Sequence, residues 1–200
     1  MSTSQIEEAA EHYKKFCEAL GIDLTKPDTL DTPTRVARLM LNEFLVGERE
    51  RPFNFTTFPY KEVNHGQLVT ETGIRFVSLC AHHHLPIIGY AHVCYIPREK
   101  LAGLSKIPRL VEWRAARPTI QEQLTQDILQ TLQYYLDPHY IGVKLIAVHE
   151  CMACRGVRSY ESRTHTTALW CSNGDYTAYE GTKAEFQANI EEWYRARGVL

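Results

Sequence analysis

No apolar run in this chain approaches the roughly 18 residues that cross a bilayer, so no membrane partner is expected. The opening Met1–Glu8 has neither a basic region nor an apolar core and does not read as a secretory leader. Charge of one sign is also missing. The formal net charge is -2, which argues against a general polyanion binder and against nucleic acid as a partner. Internal repeats, low-complexity tracts and an interdomain linker are absent. Without an export signal, the six cysteines read as reduced thiols or metal ligands rather than disulfides. The expected setting is cytoplasmic. At 44% hydrophobic and 23% charged, the chain has the composition of a globular protein able to bury one ordinary core.

Ile6, Ala9, Tyr13, Phe16 and Leu20 recur at helical spacing until Gly21. Asp31-Thr-Pro33 starts a second helix, with Thr32 as N-cap and an apolar stripe of Val36, Leu39, Met40 and Phe44. Residues 51–66 form a polar and aromatic connection without a period. Residues 67–80 and 87–96 read as strands, closed by Pro97 and the charged Arg98-Glu-Lys100. A helix follows from Ser105 to about Arg114, with Pro108 in its first turn. Pro118 opens a longer helix on which Ile120, Leu124, Ile128, Leu132 and Leu136 recur every four residues. Residues 143–148 and 164–170 read as two more strands and 182–197 as a last helix. Two helices between two strand pairs predict an α+β fold, with N-terminal helices over 1–50 and a domain over 51–200 acting as one functional unit.

Seven of the chain's fifteen cysteines and histidines sit in two short segments, Cys80-Ala-His-His-His84 and His149-Glu-Cys-Met-Ala-Cys154. Thiolate and imidazole together suit zinc. Cys80, His83, Cys151 and Cys154 would make a closed structural site. If the strand before Cys151 continues, however, Cys151 and Cys154 face opposite sides of the sheet. The expected ligands are then Cys80, His83 and Cys151, with Cys154 a small buried residue. Three protein ligands leave a position for water, the catalytic arrangement. His82 and His149 lie within two residues of these ligands and can exchange protons near neutral pH. His12, His65, His92, His139 and His165 read as ordinary surface or core histidines.

A second cluster is cationic. Arg35 and Arg38 share a helix face, and Arg155 follows the ligand segment. Ser105, Lys106 and Arg109 stand at a helix start, where free N–H groups favour an anion. Gln121 and Glu122 offer an amide and a carboxylate that can read the edge of a guanine.

These residues fall into five ordered motifs. They are Asp31-Thr-Pro-x-Arg35, Cys80-x-His82-His83, Gly103-Leu-Ser-Lys-Ile-x-Arg109, Arg117-Pro-x-Ile-Gln-Glu122 with Leu124-Thr125, and Val148-His-x-Cys151 with Arg155-Gly156. On them the chain resembles the GTP cyclohydrolase I family. The resemblance implies the tunnelling fold, a four-stranded antiparallel sheet with helices packed on one face. It implies rings of subunits, usually a decamer of two pentamers, with sites at the interfaces. By match, Cys80, His83 and Cys151 would hold Zn2+, and Gln121 and Glu122 would grip the guanine. Ser105, Lys106, Arg109, Arg155, Arg35 and Arg38 would surround the ribose and triphosphate. His82 and His149 would carry protons while GTP is opened at C8, formate leaves and the ribose rearranges to 7,8-dihydroneopterin triphosphate.

The chain departs from the family at Ala81, where Glu is usual, and at His84, Pro108, Cys154 and the segment Ala168–Asp175. Three alternatives stay open. One is a specialised member that takes another purine nucleotide, or stops at a formamidopyrimidine, in deazapurine or modified-nucleoside synthesis. Another is a non-catalytic assembly module stabilised by zinc. The third is a redox protein using Cys151 and Cys154, which lacks the helix N-terminus that activates such a pair.

Overall fold

Residues 3–49, 53–61 and 66–198 are described in the structure, a computed structural model. The chain divides into two compact units, Met1–Arg49 and Glu50–Leu200. In the first, α1 (Thr3–Ala19) forms over the expected stripe and ends where Gly21 takes φ +74. Its innermost side chain is Cys17, 2% exposed, while Phe16 and Leu20 lie open. The α2 helix (Thr32–Leu39) starts one residue earlier than expected, with Asp31 at the N-cap, and runs on into a π turn over Met40–Phe44. Arg35 and Arg38 are exposed on it.

In the second unit, β1 (Thr57–Pro59) gives order to a stretch that has no sequence period. Residues 62–65, including His65, lie outside the described residues. Next come β2 (Val69–Cys80), β3 (Pro86–Ile96) and β4 (Lys100–Ala102), which pairs with β1. Then follow α3 (Lys106–Ala115), β5 (Pro118–Thr119) and α4 (Gln121–Leu136). The chain closes with β6 (Tyr140–His149), α5 (Glu150–Ala153), β7 (Thr164–Cys171) and α6 (Glu180–Arg195).

The four long strands form the expected antiparallel sheet in chain order, β2-β3-β6-β7. Pro118 does not open α4. It belongs to the two-residue β5, parallel to the end of β2, and Ile120 falls outside the helix at 44% exposure. The rest of the stripe holds. Leu124, Ile128, Leu132 and Leu136 are buried against Ile87, Val93, Val143 and Leu145 of the sheet, together with Ile107, Leu110 and Val111 of α3. Helices α3 and α4 thus cover one face, as expected. Helix α6 lies on the other, where Phe186 and Ile190 pack with Cys94, Ile96, Tyr140 and Cys171. Period-two alternation along β3 and β6 gives the sheet two apolar faces, and the last helix covers part of the second.

A glycine sets the position of α6. Gly73 lies in a bulge of β2 at φ +74, and a Cβ there would meet the Trp193 ring at 2.2 Å. Beneath this contact His92 is fully buried, its Nδ1 accepting from the Gly73 N–H at 3.3 Å and its ring beside Trp193 and Tyr194. Burial, helped by Lys144, holds its pKa down at about 4. From pH 6.5 down to about 4, the unfolded chain takes up a proton at His92 that the folded chain refuses. Stability therefore falls as pH falls through that window, by on the order of 3 kcal/mol. His92→Phe is expected to flatten this slope. Urea unfolding of both proteins at neutral and acidic pH checks it, and an equal loss in the variant would refute it.

Candidate active site

The turn between β2 and β3 makes the first half of the site. Cys80 N–H donates to Leu85 O at 2.8 Å, His84 N–H donates to Cys80 O at 2.8 Å, and His84 takes the left-handed φ of 52. This tight turn brings the His83 Nδ1 to 3.7 Å and the His82 Nδ1 to 3.8 Å from Cys80 Sγ. The second half comes from β6, whose pairing of His149 with Ile87 ends it beside this turn. The chain then coils into α5, which carries Cys151. The donor atoms of Cys80, His83 and Cys151 all lie within 4.8 Å of one another.

This donor set fits zinc. Bonds of about 2.3 Å to sulfur and about 2.0–2.1 Å to nitrogen put tetrahedral ligands about 3.6–3.8 Å apart. The 3.7 Å between Cys80 Sγ and His83 Nδ1 matches. Burial, and then the neighbouring Cys80, pushes the Cys151 thiol up, so two thiols stand where a second negative charge is resisted until a cation joins them. Cys154 is not in the group. It was expected to be buried by the alternation of a continuing strand. The strand instead stops at His149, Cys154 follows the one-turn α5 and is exposed, and its Sγ donates to Glu150 O at 2.9 Å.

The α4 start is tied to the same turn. β5 pairs Thr119 with Cys80, and Ala81 N–H donates to Thr119 O at 3.1 Å. That places Gln121 in the core, with no exposed surface. Its Nε2 donates to Thr164 O and Thr166 Oγ1 at 3.0 Å, with Leu145 O at 3.3 Å. Thr125 Oγ1 donates to Gln121 O, so the 2.6 Å contact between the two threonines is donated by Thr166. Every proton in this buried network has one direction, and the Gln121 Oε1 is left pointing at His149 Nε2, 2.8 Å away. His149 therefore donates from Nε2 and keeps its Nδ1 lone pair. Burial lowers its pKa, against a smaller opposite effect of Glu122, which favours the neutral ring. The sequence pointed to Gln121 as a guanine ligand. Within the chain its amide hydrogen-bonds internal partners, His149 among them, a setting no linear pattern signals. Glu122, one residue on, is exposed.

The expected cationic residues stand on several elements. Arg155 Nη1 donates to His83 Nε2 at 3.1 Å and so stands at the metal group. Ser105 precedes α3, and Lys106 and Arg109 lie in its first turns. Among the described residues no hydrogen bond joins these three to the metal group. Arg35 and Arg38 belong to the other unit, where Arg35 approaches Asp31 at 3.5 Å.

The chain is similar to known proteins over most of its length. The family model described as GTP cyclohydrolase I matches residues 9–191. A protein named GTP cyclohydrolase 1 from Hydrogenobaculum sp. (strain Y04AAS1) is 41% identical over 90% of this chain and 94% of its own. Another of that name from Sulfurihydrogenibium sp. (strain YO3AOP1) is 42% identical over 92% of each chain. A third, from Aeromonas salmonicida (strain A449), is 37% identical over 90% of this chain and 81% of its own. A solved archaeosine synthase, QueF-like in the apo form, covers 53% of this chain and 95% of its own at 18% identity and a TM-score of 0.43, too slight a likeness to carry an argument. With the matched span holding all three metal donors, both histidines beside them and the start of α4, this chain belongs to the GTP cyclohydrolase I family.

Proposed function

We propose that the protein is a zinc-dependent GTP cyclohydrolase I. It opens the imidazole ring of GTP at C8, releases formate and rearranges the remainder to 7,8-dihydroneopterin triphosphate. The observation that carries this is the meeting of Cys80, His83 and Cys151 within 4.8 Å, beside a His149 whose free Nδ1 is fixed by Gln121. A zinc ion on those three donors supplies the Lewis acidity that activates water near neutral pH.

The chain's own residues do the rest. Glu122 accepts from guanine N1–H and the 2-amino group, which turns the five-membered ring toward the metal group. His149 Nδ1 exchanges the proton at N7 as water adds to C8. His82, beside Cys80, carries the second proton as the ring opens. Arg155, with Ser105, Lys106, Arg109, Arg35 and Arg38, holds the ribose and triphosphate. As the resemblance implies, a second copy of the chain completes the site, in a decamer of two pentamers. No helix among the described residues is long and apolar enough to cross a membrane.

The test incubates zinc-loaded protein with GTP and follows formate together with the fluorescence of oxidised pterin. Equal amounts of both are expected. Formate without pterin would assign the truncated reaction of a specialised family member, which the absent carboxylate at the exposed Ala81 favours. Neither product would overturn the proposal.

A further inference from the structure

The face of the sheet opposite α3 and α4 is only half covered. Between it and the C-terminal half of α6 lies a cavity of about 760 Å3. Its floor is apolar, made by Ile88 and Tyr90 of β3 with Ile146 and Val148 of β6, and Trp193 and Tyr194 form a wall. Ile88 and Tyr90 are each 37% exposed, which is unusual for large side chains in the middle of a sheet. None of the three metal donors, and neither His82 nor His149, lines the space.

The rim is cationic. Arg75, Lys144, Arg163 and Arg197 come from four separate places in the chain, and among the described residues none of them forms an ion pair. Lys144 donates to Gln187 Oε1 at 2.8 Å, and the Arg197 guanidinium stacks over the Trp193 ring at 4.0 Å. Glu191 is the one carboxylate of the lining and already accepts from Gln187 Nε2. His165 also lines the space, and burial with Lys144 nearby lowers its pKa, so it adds no charge near pH 7.

Four cations against one carboxylate leave a surplus that a monocarboxylate would not match. A di- or triphosphate does, and arginine forks suit phosphate oxygens. The aromatic wall and apolar floor suit a flat ring, and the volume falls within the range of about 300–1,000 Å3 typical of small-ligand sites. We propose that this cavity binds a nucleotide-class anion, a planar heteroaromatic ring carrying two or three phosphates, at a place separate from the metal group.

The test uses the zinc-loaded full chain and ATP as probe, by titration calorimetry. Wild-type protein is expected to bind ATP. The double variant Arg163→Gln, Arg197→Gln, both exposed side chains, is expected to bind it at least about tenfold more weakly. The double variant Lys106→Gln, Arg109→Gln, which weakens the triphosphate grip proposed for the catalytic site, should leave ATP affinity unchanged, and the Arg163→Gln, Arg197→Gln variant should release formate from saturating GTP within about twofold of wild type. Absence of ATP binding at millimolar concentration, or equal affinity in the Arg163→Gln, Arg197→Gln variant, overturns the proposal. So does an equal loss in Lys106→Gln, Arg109→Gln, because ATP would then sit in the proposed catalytic site. Formate release is read in the same proteins, so failure of the cyclohydrolase activity would show separately.

Discussion

Cys151→Ser is expected to lower formate release from GTP by at least about a thousandfold, because a site left with one thiolate and one imidazole holds zinc too weakly to activate water. The effect is specific in three ways. Bound zinc per chain should fall with activity. GTP binding should persist, since Glu122 and the cationic residues do not depend on the thiol. The fold should persist too, because Cys151 is only partly buried and lies on the one-turn α5 at the edge of the core. Metal analysis, nucleotide titration and circular dichroism on one preparation check all three. If nucleotide binding and the fold disappear together with the metal, the zinc is structural and the catalytic proposal fails.

The second large effect belongs to Gln121. Its replacement by leucine keeps the volume and removes the oxygen that accepts from His149 Nε2. The imidazole is then free to rotate and to exchange tautomers, and kcat should fall on the order of a hundredfold, the lower end of what general acid–base catalysis contributes. KM should change little, because the guanine contact proposed above is made by Glu122. Leucine also removes the donor that Thr164 O, Leu145 O and Thr166 Oγ1 share, so some stability is lost, about 1–3 kcal/mol for each acceptor left without another partner. Activity alone would not separate orientation from destabilisation. The 15N shifts of the His149 ring do. Wild-type protein should show the proton on Nε2, and folded Gln121→Leu should show a mixture. A single unchanged tautomer in the variant, or a raised KM with kcat intact, would return Gln121 to the guanine.

The sequence was most readable where one period meets one buried face. Leu124, Ile128, Leu132 and Leu136 sit on the core side of α4, and nothing competes with that pattern. The metal group was readable for a different reason. Few residue types bind zinc, and two short segments concentrate seven of the fifteen cysteines and histidines. What the pattern hid was the direction of the chain at element ends. Apolar character along 143–148 carries no mark that the strand stops at His149, so the alternation misplaced Cys154. A two-residue strand such as β5 has no period at all, and Pro118 there mimics a helix start. A polar residue at the first position of a helix looks solvated, yet Gln121 is in the core because β5 holds it there. One local signal was available. An isolated glycine in a strand pattern marks a bulge or a close approach, and Gly73 is both.

The brief parallel pairing of Thr119 with Cys80 has a consequence for how this molecule can vary. It welds the segment after α3 to the metal-bearing turn, so α4 begins from a pinned point. One added or deleted residue between Thr119 and Gln121 would swing the helix by about 100° and carry the glutamine away from its histidine. Side chains along that joint are open to replacement, as the exposed Ile120 suggests, but its length is not.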